Sequence, residues 1–180
     1  VQISKICNDL RWLSSGRRCG LNEINLPPMQ PGSSIMPGKV NPVIPELMIQ
    51  ICYQVMGYDM VVSMAAESSE LELCMAEPII AFDLLHGMMI LKNGCITLVA
   101  RCIEGIEANR DICQHYVQTS IGLVTALVPI IGYEQSASIA KEALKTGGSV
   151  YDLVLKKGLL TRAQLDDMLR PENMTDPREI

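Results

Sequence analysis

The chain has 180 residues, enough for one ordinary domain or one domain with a small appendage. Hydrophobic residues make up 48% and aromatics only 4%, so the apolar mass is Leu, Ile, Val, Ala and Met, which suits packed helices better than sheets. The formal net charge of -5 argues against a nucleic-acid partner, because binding phosphates needs a basic footprint.

The chain opens at Val1 already in helical rhythm, as if sequence preceded it. Ile3, Ile6, Leu10 and Leu13 recur at helical spacing and predict a helix over 2–14, ended by "SSGRRCG". An irregular segment follows from Gly20 to Pro42, holding five prolines. A stretch of that length inside a compact domain is either functional or disordered. Helical spacing resumes at Val43 and runs to about Ala66, with Pro45 tolerated in the first turn. After the acidic break "ESSELELCMAE", Pro78 opens a predicted helix reaching Ala108, about 45 Å long at 1.5 Å per residue. Apolar residues surround much of it, so it must be buried on several sides, by a bundle or by other subunits.

A further helix is predicted over 111–127, followed by a turn at "LVPIIGYE". The longest uncharged stretch, Ile112 to Tyr133, is interrupted by Gln114, His115, Gln118, Thr119, Ser120 and Pro129. It therefore predicts a buried helix and no membrane partner. Beyond it, Glu134 to Lys145 is a helix stopped by Gly147. Ser149 is placed to cap the next helix, which ends at Gly158. Thr161 and Gln164 have capping-box spacing for a third. The fold class is thus all-α, a long-helix bundle part over 1–132 and a small helical domain over 133–180. A helix-turn-helix DNA reader is disfavoured for that small domain because it has few clustered basic residues.

Seven cysteines at 7, 19, 52, 74, 95, 102 and 113 form no Cys-x-x-Cys pair. They read as reduced thiols packed like small hydrophobes in a cytoplasmic protein, with no zinc site and no disulfide framework. His86 and His115 fall inside long predicted helices and read as packing histidines.

The chemistry concentrates in "QPGSSIMPGKVNP", residues 30–42. Gly32 and Gly38 let the backbone approach a ligand closely. Turns of this kind expose N–H groups to anions, Lys39 adds a cation, Asn41 an amide and Ser33 and Ser34 hydroxyls. The spacing fits neither a Walker loop nor a Gly-x-Ser-x-Gly elbow. The residues alone describe a loop suited to closing over a small anion.

"GSSIMPGKVNP" resembles the signature loop of the fumarase/aspartase superfamily. "RWLSSGRRCGLNEINLP", "GIEANRD", "LVTALVPIIGYE" and "GLLTRAQLDDML" resemble the same family in the same order. The resemblance extends over essentially the whole chain and implies the C-terminal part of a subunit. "GKVNP" favours the fumarase and aspartase branch of the superfamily over argininosuccinate and adenylosuccinate lyases, and within that branch "MQP" before the loop, "VIPE" after it and "MAEPII" favour aspartases, with class II fumarases as the alternative.

The resemblance implies a cofactor-free, metal-free lyase. In it Ser33 is the base that takes the β-proton of L-aspartate, giving an enediolate and then fumarate and ammonia. Ser34, Lys39 and Asn41 would hold the substrate carboxylates, and Glu46 would support the site through a histidine from upstream sequence. A homotetramer with active sites shared between subunits is implied, so the isolated 180 residues are expected to be inactive. A non-catalytic helical assembly module is the competing reading. Arg17, Cys74 and Val128 depart from the usual Pro, Asn and Asn of this family. The loop 30–42 is expected to be a mobile lid.

Overall fold

The computed structural model describes residues 1–16, 18–32 and 35–175. The fold is mostly helical, as expected, and divides into two compact units, Val1–Asn109 and Arg110–Ile180.

In the first unit, α1 (Gln2–Leu13) is amphipathic, and the Ser14 hydroxyl closes its end by donating to the Leu10 carbonyl at 2.7 Å. Two 25-residue helices follow, α2 (Val43–Glu67) and α3 (Glu77–Arg101). They run antiparallel. A Cβ placed on Gly94 of α3 would lie 2.8 Å from Ile51 Cδ1 and 2.9 Å from Met48 Sδ, both on α2. One on Gly87 would lie 3.3 Å from Tyr58. The absence of a side chain at Gly94 is what lets the helices approach there.

The core of this unit joins α1, α2 and α3 through Cys7, Met48, Ile49, Cys52, Leu98 and Cys102. All seven cysteines are free thiols, and Cys7, Cys52 and Cys102 are buried as expected, whereas Cys19 is exposed. Burial pushes the Cys7 thiol up from 9.0 to about 11, helped by the neighbouring Cys52, Cys102 and Cys95. Burial raises Cys52 and Cys102 as well.

The third helix is shorter than its sequence pattern predicts. It stops at Arg101 rather than Ala108 because Cys102 turns out of helical geometry (φ -135°, ψ -62°). A 3₁₀ turn, Ile103–Gly105, follows. Glu107–Ala108 (β2) then pairs antiparallel with Ile24–Asn25 (β1). This small ribbon is an addition to the all-α expectation. Gly105 passes so close to Pro27 that a Cβ would lie 2.5 Å from its Cγ.

Residues Glu77–Gly105 are long and apolar enough to cross a membrane by length and composition, whereas the sequence pattern pointed to 112–133 as the segment to weigh. The helix lies along α2 and carries the buried Asp83, whose Oδ2 has no hydrogen-bond partner among the described residues. Much of its circumference, like that of α2, is open within this chain: Met60, Met64, Leu85, Met88 and Ile96 are all exposed. His86 packs as expected, stacked on Phe82 and with Nδ1 2.9 Å from the Tyr58 hydroxyl. The turn between the two helices holds Leu71 and Glu72 at positive φ, and the Cys74 thiol donates to the Ala65 carbonyl at 3.7 Å.

The second unit begins with α4 (Arg110–Thr119), which fully buries none of its residues. His115 is exposed on it, contrary to the packing role expected of it. The helix predicted over 111–127 is broken at Ser120, whose hydroxyl accepts the Gly122 N–H at 3.2 Å and starts a 3₁₀ turn. Beyond it lie α5 (Val124–Ile131) and α6 (Tyr133–Thr146), the latter ended by Gly147 in the left-handed conformation. The boundary expected at 132/133 falls inside this unit, because Leu123 and Leu127 share one core with Ile139, Ala143, Val154 and Leu165. α7 (Val150–Lys156) has Ser149 at its N-cap position without a side-chain cap bond. α8 (Arg162–Met168) has the predicted Thr161/Gln164 capping box, and α9 (Pro171–Thr175) closes the described chain.

Candidate functional site

A cleft of about 610 Å³ lies in the first unit. Its walls come from the end of α1, the turn after it, the β1 segment, the end of the 30–42 loop and the first turn of α2. Each wall has a local cause. The turn after α1 crosses itself tightly: Gly16 has φ +46°, and a Cβ on Gly20 would lie 2.3 Å from the Ser15 carbonyl oxygen. The Ser15 hydroxyl bridges this turn, donating to the Trp12 carbonyl and accepting the Leu21 N–H.

The β1 segment is fastened by Asn109. Its Nδ2 donates to the Asn22 carbonyl at 2.8 Å, its Oδ1 accepts from Asn25 Nδ2 at 2.7 Å, and its backbone N–H donates to the Glu23 carbonyl at 2.8 Å. The loop reaches the cleft through Gly38, which has φ +81° and therefore favours glycine. Gly32 lies against this same stretch, since a Cβ there would be 3.3 Å from the Lys39 carbonyl oxygen.

Gly38, Lys39, Asn41 and Glu46 of the predicted site all line the cleft. Lys39 is exposed, while Asn41 and Glu46 are half-buried. Gly32 stands behind the lining. Ser33 and Ser34, predicted as base and carboxylate donor, lie outside the described residues, and so does the expectation of a mobile lid that rests on them. Arg17 lies outside them too. Among the described residues, no group of three or more His, Cys, Asp or Glu side chains is arranged to hold a metal ion.

Two contributors were not anticipated. Arg11, in the last turn of α1, places Nε 3.7 Å from Glu46 Oε1 and lines the cleft beside it. Asn25 also lines it, held by Asn109. Arg11 reads locally as an ordinary cation at a helix C-terminus, where it is favoured by the helix dipole. Nothing in its neighbourhood points to a carboxylate more than thirty residues away. The motif "GIEANRD" did carry a signal for Asn109, but not for what its amide holds.

Chemically, the described residues of the cleft offer two cations, one carboxylate and the amides of Asn25 and Asn41 at the opening turn of a long helix. That set suits a small, multiply charged anion better than a neutral or cationic ligand.

The Lyase family model matches residues 1–57, and the Fumarase C C-terminus model matches 123–176. The aspartate ammonia-lyase of Helicobacter pylori (strain ATCC 700392 / 26695) is 60% identical over 177 residues, 98% of this chain and 38% of that protein. The Escherichia coli (strain K12) aspartate ammonia-lyase is 51% identical over 98% of this chain and 37% of its own length.

Among solved structures, a fumarate lyase:delta crystallin from Brucella melitensis bound to cobalt superposes with a TM-score of 0.90 at 52% identity. The match covers 98% of this chain and 38% of that one. A recombinant class II fumarase from Schistosoma mansoni gives 0.89 at 38% identity, over 98% and 37% of the two chains. The chain thus spans 38% of the length of the Helicobacter relative, and it belongs to the fumarase/aspartase family as a C-terminal portion homologous to aspartate ammonia-lyases.

Proposed function

We propose that this chain is the C-terminal part of an ammonia-lyase that converts L-aspartate to fumarate and ammonia. The observation that carries the reading is the meeting of Lys39 and Asn41 in one cleft at the end of the 30–42 loop, in a chain 60% identical to an aspartate ammonia-lyase. Ser33 takes the β-proton. The electron pair spreads into the adjacent carboxylate as an enediolate, the C–N bond breaks and ammonia leaves. A serine is a poor base in water, so the step needs water exclusion and nearby positive potential, which Lys39 supplies. Ser34 donates to the reacting carboxylate, and Lys39 and Asn41 hold the other. Glu46 supports the site from the first turn of α2, with Gly32 and Gly38 shaping the loop.

The working enzyme is a homotetramer whose sites combine residues of several subunits. Exposed apolar side chains along α2 and α3 support that reading, and the isolated chain lacks most of the pocket. Seven free thiols fit a reducing, cytoplasmic setting.

The test joins this chain to the remaining length of the Helicobacter relative and follows fumarate absorbance from L-aspartate. The chimera is expected to turn over aspartate and the 180 residues alone are not. Ser33→Ala should lower kcat by about 10²–10⁴-fold, the usual range for a general base. Turnover of L-malate without aspartate deamination would replace this reading with a class II fumarate hydratase.

A further inference from the structure

We infer that Arg11 is a positioning residue of the cleft, acting through Glu46. The inference rests on the lyase reading above and adds a residue to its site.

Arg11 leaves α1 at its last turn and is steadied from behind, its Nη1 donating to Asn8 Oδ1 at 3.0 Å. Its Nε then stands 3.7 Å from Glu46 Oε1, with side-chain exposures of 42% and 35%. Both side chains line the same cleft as Lys39 and Asn41. Of the described charged residues lining it, Arg11 and Lys39 are cationic and Glu46 is anionic. Without Arg11, the Glu46 carboxylate would face the carboxylates of the substrate with no cation beside it.

Glu46 has a structural reason to be there, since a carboxylate in the first turn complements the N-terminal end of the helix dipole. That preference stabilises α2 and opposes anion binding at once. Arg11 resolves the conflict by pairing with the carboxylate from the α1 side. The pair also ties the end of α1 to the start of α2, so the cleft wall keeps its shape. Because the pair is half-exposed, water screens it and its isolated effect is modest.

The experiment is a double-mutant cycle in the chimera, combining Arg11→Met with Glu46→Gln, with Arg11→Lys alongside. KM and kcat for L-aspartate are read separately, together with the thermal midpoint. Arg11→Met is expected to raise KM up to about five-fold, the upper end for a partly exposed ion pair. Arg11→Lys should recover part of that loss. On the Glu46→Gln background, Arg11→Met should change KM no further, because the charge it offsets is gone.

Equal effects of Arg11→Met on both backgrounds would overturn the inference. So would an unchanged KM, or a loss of kcat that tracks a fallen midpoint and is not rescued by lysine. A wild-type chimera that turns over malate only removes the aspartase reading alone, and the same cycle is then read on malate KM. A chimera inactive on both substrates removes the lyase reading and this inference with it.

Discussion

The two units solve the problem of stability in opposite ways. Arg110–Ile180 is the smaller, yet it owns the larger core, with Leu127, Ile139, Val154 and Leu165 nearly or completely buried. Its helices end on local devices, a capping box at Thr161 and left-handed glycines at 147 and 158. Val1–Asn109 has helices of 25 residues but a small core built partly of thiols, and large apolar side chains are exposed within this chain. It is also the unit that carries the cleft. One unit gathers its apolar side chains around a core of its own, and the other, which has the cleft, leaves many of its own exposed within this chain.

The sharpest way to break this contrast is to truncate one apolar side chain in each unit. Leu165→Ala should cost about 2–5 kcal/mol in urea unfolding of residues 110–180 made alone, which should unfold in one cooperative step. Leu85→Ser, on the exposed face of α3, should alter the stability of the full chain by only about 0.5 kcal/mol. It should instead reduce self-association measured by sedimentation. A gradual, non-cooperative melt of 110–180 would end the claim that this unit stands by itself.

Overpacking probes the other unit. Gly94→Ala forces a Cβ against Ile51 and Met48, and should cost about 1–3 kcal/mol unless those side chains can move aside. The full chain's unfolding midpoint in denaturant reads it.

The thiol core adds a dependence on pH. Cys7 is held neutral, with its thiol at about 11 against an ordinary 9.0. The unfolded chain therefore loses this proton first, and stability falls as pH rises from 9 toward 11. Below 9 the stabilisation is fully present. Cys7→Ala or Cys7→Ser should flatten the alkaline slope, whereas 110–180, whose only cysteine is the half-buried Cys113, should not show a slope of this origin.

The smallest effect should come from Lys157→Ala. It removes a 2.7 Å ion pair to Glu142 that pulls the carboxyl below its usual range. The pair is largely solvated, so the midpoint should barely move. A large shift would mean that the C-terminal unit depends on its surface more than on its core.

These regions also differ in how readable they are from sequence. Helices α1, α2 and α6 and the Thr161/Gln164 box follow from local spacing and local hydrogen bonds, and the structure has them. The end of α3 does not follow, because Ile103 and Ile106 continue the apolar pattern while Cys102 turns the backbone away. A ribbon with two residues in each strand is too short to leave an alternating signature. His115 has the neighbours of a buried residue in sequence but faces solvent on α4. At the cleft, the loop chemistry of Lys39 and Asn41 is legible, whereas the pairing of Arg11 with Glu46 depends on helix crossing and is not.

Asn109 has a consequence for how inherited variation in such proteins should be interpreted. Its amide stands in for a third rung of a ribbon too short to hold itself, joining residues 84 and 87 positions apart. Aspartate would keep the shape but lose the donor, and glutamine would keep both groups at the wrong reach. Either change would loosen the cleft wall, although Asn109 does not line the cleft. Such a variant would look like damage to the cleft itself, and the fault would be in the masonry.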